Sequence, residues 1–207
     1  MVKYKNNKMN KRKLSPKDKI LKHLIENKSP HSVRAVSGAT LIDYKNTYTI
    51  INELGTDLIS REKIGNTTLI KINLIPNQKI YSVEERRTLE FLEKNKQLQL
   101  VAEDIQSMNY PFFIVLVFGS LVKKSNTKKS DIDISIICDN SEKKERLIST
   151  LKLLPFPLEI HEFTSKEFES MLNKKEQNLG KEIVKNNIIL YGIENYYHLI
   201  SKWMKKE

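Results

Sequence analysis

The sequence predicts an α+β protein in two parts, and three observations lead to this prediction. Residues 15–54 carry apolar side chains at helical spacing, and a hairpin pattern follows around Gly65 and Asn66. Further along, residues 111–118 form a continuous apolar run, which is typical of a buried strand. Residues 131–137 then follow a strand pattern, in which polar and apolar side chains alternate from Asp131 to Ile136, as in a half-buried strand. Helical patterns surround these two strands.

Positive charge is concentrated in the first part of the chain. The 207 residues carry a formal net charge of +11, and residues 1–80 hold 16 Lys and Arg against 6 Asp and Glu. Residues 81–207 are nearly balanced, with 20 against 19. A basic excess confined to one part indicates a polyanionic partner for that part. Residues 1–14, which are basic and without periodicity, are expected to form a flexible tail.

Composition excludes several classes of protein. No apolar run approaches the roughly 18 residues that span a bilayer, so no membrane partner is expected. The N-terminus lacks the apolar segment of a signal peptide. The single cysteine, Cys138, rules out an intramolecular disulfide and a cysteine-based zinc cluster. A cytoplasmic globular protein is the expectation.

The N-terminal part reads as three helices and a hairpin. Ser15 as N-cap, followed by Pro16, starts the first helix, which ends before Pro30. A short second helix is expected over 31–36. The third runs from Leu41 or Asp43 to Leu54, with Gly55 as its C-cap. Strands are expected over 58–63 and 68–72.

This order of elements resembles a winged helix-turn-helix domain over residues 15–75, with residues 76–83 as a linker. Such folds usually place the third helix in the DNA major groove. Polar and basic side chains suited to bases and phosphates lie on that helix, on the second helix and on the hairpin. The predicted DNA contacts are Arg34, Tyr44, Lys45, Asn46, Thr47, Arg61 and Lys63. A surface that binds protein instead remains an open alternative.

The most informative motif follows the apolar run 111–118. Gly119 and Ser120 form a turn there, and after a ten-residue spacer Asp131 and Asp133 lie on one face of the next strand. Two carboxylates on one face repel each other unless a cation lies between them, and Mg²⁺ prefers such oxygen ligands. The turn offers a backbone N–H, a hydroxyl and room for a phosphate. The alternative is a surface hairpin with two solvated aspartates.

The rest of the chain completes a small domain, residues 84–207. A helix is expected over 83–107, before the first strand, and another over 142–153. A third strand, 156–163, has Glu159 and His161 on one face. A capping box at Thr164 begins a further helix, and an aromatic helix over 194–203 ends the domain.

The apolar strand, the Gly-Ser turn, the spacer and the Asp-x-Asp strand closely resemble the polymerase-β-like nucleotidyltransferase superfamily. Within it, the short unit looks like the minimal nucleotidyltransferases of prokaryotes. The resemblance covers residues 84–207, and its specific part is Phe118 to Ile137. It implies a small mixed sheet with flanking helices. It also implies transfer of an NMP group, AMP from ATP, to an acceptor hydroxyl with release of pyrophosphate.

The resemblance also implies roles for individual residues. Asp131 and Asp133 would hold two Mg²⁺ (or Mn²⁺) ions, and Gly119 and Ser120 would hold phosphates of the NTP. Glu159 is the candidate for the superfamily's third carboxylate, which binds metal and acts as base. Here the chain departs from the pattern, because Asp is commoner at that position. His161 competes with Glu159 on the same face.

Each of the two parts of the chain predicts a different binding partner. The second part predicts an NTP as substrate, while the basic first part predicts DNA. The resemblance adds a HEPN-type toxin protein, since minimal nucleotidyltransferases include enzyme partners of HEPN-domain proteins. Four spacer lysines either reach the triphosphate or are solvated; these are Lys123, Lys124, Lys128 and Lys129. The competing hypothesis is a DNA-binding transcriptional regulator or antitoxin whose transferase domain senses nucleotide or binds a partner protein.

Overall fold

The chain folds into two units, Met1–Asn73 and Leu74–Glu207. A computed structural model describes residues 14–123, 125 and 130–204. All of the predicted tail except Leu14 lies outside the described residues, as do Lys124, Lys128 and Lys129. No described helix is both long enough and apolar enough to cross a bilayer.

The first unit contains three helices and a three-stranded antiparallel sheet. The sheet order is β1-β3-β2. In chain order the elements are α1 (Pro16–Glu26), β1 (His31–Ser32), α2 (Val33–Thr40), α3 (Tyr44–Leu58), β2 (Ile59–Ile64) and β3 (Thr67–Ile72). The predicted helices and hairpin are therefore present, although a two-residue strand occupies the start of the predicted second helix. The description as a winged helix-turn-helix remains a prediction.

Local sequence explains the bounds of these helices. The Ser15 hydroxyl accepts a hydrogen bond from the Asp18 backbone N–H at 3.1 Å, which caps α1. Asp43 caps α3 in the same way through the Asn46 N–H at 2.9 Å. Gly55, with φ +80°, interrupts α3 where the sequence predicted its end. The core of the unit forms around the four apolar residues of α1, which are Ile20, Leu21, Leu24 and Ile25.

The second unit surrounds a four-stranded sheet with helices. Its strands are β4 (Ile114–Val117), β5 (Ile132–Ile137), β6 (Leu158–Phe163) and β7 (Ile188–Tyr191). Its helices are α4 (Gln78–Lys94), α5 (Gln97–Ser107), α6 (Gly119–Lys123), α7 (Ser141–Leu151), α8 (Ser165–Asn173), α9 (Leu179–Lys185) and α10 (Ile193–Met204). The capping box at Thr164 is present, with both of its hydrogen bonds.

The sheet order is β6-β5-β4-β7, and β5 and β6 are parallel while the other pairs are antiparallel. The strand β4 lies between two neighbours and is buried along its whole length, as its continuous apolar run predicts. The strand β6 forms an edge, where Glu159 and Glu162 are exposed and the other side chains are half-buried. The prediction of an α+β protein with a mixed sheet is therefore confirmed.

The structure corrects two expectations before β4. The predicted helix over 83–107 is two helices, because Asn95 ends α4 and α5 starts at Gln97. Residues 78–83, assigned to a linker, form the first turns of α4, where Ile80 and Tyr81 are buried. The apolar residues of this stretch fit a helix anchored in the second unit.

Candidate active site

The Gly-Ser turn lies directly beside the start of β5. The backbone N–H of Phe118, the last residue of the apolar run, donates to the Asp133 carbonyl at 3.1 Å. Gly119 follows with φ +70°, a conformation that favours glycine. A Cβ atom added at Gly119 would lie 1.9 Å from Asp133 Oδ2. Both the backbone angle and this close approach therefore require glycine beside the Asp133 carboxylate.

The edge strand β6 supplies two more polar side chains. In its parallel pairing with β5, Glu159 lies opposite Asp133 and His161 lies opposite Ser135. Asp133, Glu159 and His161 each place one ligand atom so that the three atoms lie within 4.8 Å of one another. His161 Nε2 is 3.3 Å from Glu159 Oε1. The face of β6 that was predicted to carry Glu159 and His161 therefore lies beside Asp133.

The electrostatics of the group centre on Asp133. Partial burial raises the pKa of its carboxyl above the usual range, and the charge of Glu159 raises it further. The nearby His161 and a hydrogen bond from the Ser120 backbone N–H act in the opposite direction. Ionised Asp133 is therefore costly here without a compensating positive charge.

A divalent cation fits this group on the chemistry of its donors. Two carboxylates and an imidazole can each offer a ligand atom to a single ion. Ser135, on the same face of β5 as Asp133, is fully buried, and its hydroxyl has no hydrogen-bond partner among the described residues. Such an unsatisfied polar atom costs free energy, so a water or ligand beside the group would stabilise it.

Two residues of the predicted site have surroundings that differ from the expected ones. Asp131 is exposed, comes just before β5 and is not part of the group of three. Ser120 is half-buried, and its backbone N–H, one of those in the turn expected to bind phosphate, donates to the Asp133 carboxylate.

Sequence reasoning missed Glu182. This residue of α9 accepts a hydrogen bond from Lys123 Nζ at 2.6 Å, and its charge also raises the pKa of Asp133. Lys123 belongs to α6, which begins at the Gly-Ser turn. The side chain of Lys123 therefore contacts a carboxylate of α9. No motif in the sequence signals this contact, because it joins residues 59 positions apart.

In the first unit, three of the predicted DNA contacts line a groove of about 400 Å³; they are Arg34, Tyr44 and Arg61. Arg61 donates to Asn52 Oδ1 at 2.7 Å. Lys45 and Lys63 are exposed, and the Asn46 amide donates to Asp43.

Thr47 is a correction to the predicted DNA contacts. Its side chain is fully buried, and its hydroxyl donates to the Ile42 carbonyl at 3.2 Å. It therefore packs α3 against the core of its unit and is not available to DNA. Its position near the start of the helix had suggested an exposed side chain.

Replacing Gly119 with alanine is expected to weaken nucleotide binding at least tenfold. The added Cβ displaces the Asp133 carboxylate, and the left-handed backbone costs about 1–2 kcal/mol for a residue with a Cβ. Isothermal titration with ATP and Mg²⁺ measures the first effect, and thermal unfolding the second. Gly38→Ala is the control, because no atom lies within 4 Å of its added Cβ. Unchanged ATP affinity in Gly119→Ala would contradict the assignment of this turn.

Comparison with known proteins finds one family model that resembles part of the second unit. Residues 103–196 match the family model described as "Polymerase beta, Nucleotidyltransferase". The matched stretch includes the Gly-Ser turn, Asp131, Asp133, Glu159 and His161. No curated protein and no solved structure matches the chain significantly. This match supports a polymerase-β-like nucleotidyltransferase domain over residues 103–196.

Proposed function

We propose that the second unit transfers AMP from ATP to an acceptor hydroxyl and releases pyrophosphate. The observation that carries this proposal is the pairing of β5 with β6. It sets Asp133 against Glu159 directly beside a turn that only glycine can form. The match to a nucleotidyltransferase family model supports transfer in general, and ATP as donor is part of the proposal.

The chain's own residues have separate roles in this reaction. Asp131, Asp133 and Glu159 would hold two Mg²⁺ or Mn²⁺ ions, and such ions would supply positive charge to the triphosphate and to the acceptor hydroxyl. Gly119 lets the phosphates approach the backbone, and the Ser120 hydroxyl binds a phosphate oxygen. Glu159, whose side chain is 57% exposed, is accessible to the acceptor and takes the proton from its hydroxyl.

A DNA-binding role for the first unit is the second part of the proposal. Arg34 and Arg61 share one groove with Tyr44, and Lys45 and Lys63 are exposed. The strong basic excess of residues 1–80 supports a polyanionic partner. Residues 15–75 would then act as a winged helix on DNA in a cytoplasmic protein, with a HEPN-type toxin protein as a partner of the transferase unit. The competing function is a transcriptional regulator or antitoxin that only senses nucleotide.

The double substitution Asp131→Ala and Asp133→Ala is expected to abolish transfer and leave DNA affinity within twofold. Both residues belong to the second unit, whereas the proposed DNA contacts lie in the first. Transfer is followed with labelled ATP, and DNA affinity is followed by fluorescence anisotropy. Circular dichroism of the double variant checks that it is folded. Loss of both activities in a folded double variant would contradict the assignment of two functions to two units.

A further inference from the structure

Among the described residues, one cluster of potential metal ligands contains a nitrogen donor as well as carboxylate oxygens. Asp133, Glu159 and His161 bring their ligand atoms within 4.8 Å of one another. Asp131, the carboxylate expected from the Asp-x-Asp motif, is outside this cluster. The cluster therefore contains two carboxylates and one imidazole, a different donor set from the three carboxylates expected from the sequence.

The structure holds the His161 ring in place from two sides. Its centroid lies 5.3 Å from that of Phe118, which is buried at the end of the apolar run. Its Nε2 atom is 3.3 Å from Glu159 Oε1, so this nitrogen faces the carboxylates. The side chain is 24% exposed and so remains within reach of an ion from solvent. These contacts favour a role for His161 as a metal ligand through Nε2. They favour it over the alternative that His161 is only a polar residue of an edge strand.

A second observation at the same place points to a ligand. The parallel pairing sets Ser135 opposite His161, on the face of β5 that carries Asp133. Its hydroxyl is fully buried and has no hydrogen-bond partner among the described residues. A water bound to a metal ion would satisfy such a hydroxyl, as groups around metal ligands commonly do.

We propose that His161 is a metal ligand and that it makes this centre select a first-row transition ion, with Mn²⁺ bound more tightly than Mg²⁺. Mg²⁺ prefers oxygen ligands and retains its waters, so an imidazole adds little to its binding. Imidazole raises the affinity for transition ions, and carboxylates suit Mn²⁺ as well as Mg²⁺. This inference rests on the proposed nucleotidyl transfer for its role, since the same ion would serve the triphosphate.

The test compares the full-length protein with three variants in direct binding measurements. Free Mn²⁺ is counted by electron paramagnetic resonance, and Mg²⁺ is added as a competitor, both with and without ATP. His161→Gln removes the imidazole, and His161→Asp converts the donor set to three carboxylates. His198→Gln is the matched control, because His198 is an exposed histidine of α10 and not part of the cluster. Thermal unfolding without metal checks that each variant is folded.

We expect wild type to bind Mn²⁺ at least tenfold more tightly than Mg²⁺. His161→Gln should lose about tenfold or more in Mn²⁺ affinity with less than twofold change for Mg²⁺, as expected for a lost imidazole ligand. His161→Asp should shift the preference towards Mg²⁺, and His198→Gln should match wild type. Equal weakening of both ions in His161→Gln, unchanged Mn²⁺ affinity, or no Mn²⁺ binding by wild type would overturn the inference.

The same samples separate this inference from the proposed function. His161-dependent Mn²⁺ binding in a protein that transfers no nucleotide would uphold the metal site and contradict the transferase. Transfer that depends on Asp133 while Mn²⁺ affinity does not depend on His161 would uphold the transferase and contradict the metal preference.

Discussion

Replacement of Asp133 by asparagine is expected to reduce nucleotidyl transfer about 10³-fold or more and, in the same variant, to stabilise the metal-free protein. The loss of transfer follows because a bound metal stabilises the transition state by several kcal/mol and asparagine holds it poorly. The gain in stability follows because burial and the charge of Glu159 raise the pKa of Asp133, so its ionised form is disfavoured in the fold. Asp133, a residue required for function, therefore lowers the stability of the metal-free protein.

The pH dependence of this gain has a definite sign. Since the folded state raises the pKa of Asp133, the contribution of this group to wild-type stability is most favourable at pH values below its unfolded pKa of about 4. This contribution then falls as the pH rises through the folded pKa of Asp133 and remains less favourable at neutral pH. Asp133→Asn lacks this transition, so its advantage should be largest at neutral pH and vanish in acid.

Thermal unfolding in EDTA across this pH range measures the effect. Each kcal/mol corresponds to about 2–4 °C for a protein of this size. Asp131→Asn is the matched control, because Asp131 is exposed and lies outside the cluster. This control should lose transfer without gaining stability. A midpoint for Asp133→Asn below that of wild type at neutral pH would contradict the electrostatic account of the site.

Replacement of Glu84 by alanine is expected to destabilise the second unit by about 3–5 kcal/mol. Glu84 is 1% exposed and pairs with Arg87, which is 6% exposed. It also accepts a hydrogen bond from the Tyr197 hydroxyl at 2.7 Å. Arg87 in turn donates to the Asn187 carbonyl at 3.1 Å. Removing the carboxylate takes a buried counter-charge away from the guanidinium.

This network connects α4 with α10 and with the segment entering β7. The Asn187 amide donates to the Tyr196 hydroxyl at 2.8 Å, and Thr88 donates to the Ile189 carbonyl at 2.7 Å. Because β7 pairs with β4, the network supports the strand that leads into the turn at Gly119. Loss of Glu84 should therefore reduce nucleotide affinity at temperatures where the variant begins to unfold.

Urea denaturation followed by Trp203 fluorescence measures this change, because the chain has a single tryptophan and it lies in α10. The double variant Glu84→Met and Arg87→Met is the control, since apolar residues can replace a buried ion pair with little loss. It should recover most of the stability that Glu84→Ala loses. A loss below about 1 kcal/mol in Glu84→Ala would show that the pair is not important for the fold.

The sequence could predict the chemistry at the end of β4 because that information is local. A continuous apolar run predicted a central strand, and β4 is buried along its length. Strict alternation predicted that Asp133 and Ser135 share a face, and the pairing with β6 agrees with this. The start of β5 was less predictable. The alternation included Asp131, yet the strand begins at Ile132.

Features that depend on tertiary structure could not be predicted. The pairing of Asp133 with Glu159 depends on which strands become neighbours and in which register, and no local pattern fixes that. The contact of Lys123 with Glu182 and that of Tyr197 with Glu84 join residues 59 and 113 positions apart. Thr47 was expected at a DNA interface because it is polar, and the structure satisfies its hydroxyl internally.

Transfer of labelled nucleotide tests the central claim most directly. The full-length protein and its Asp133→Asn variant are incubated with α-³²P-labelled ATP, GTP, CTP or UTP, with Mg²⁺ or Mn²⁺, in a lysate of the source organism. The account predicts that wild type alone attaches label from ATP to a protein, an RNA or a small molecule. Absence of label on every acceptor with all four nucleotides and both metals, in a protein that still binds ATP, would contradict it and favour a nucleotide-sensing regulator.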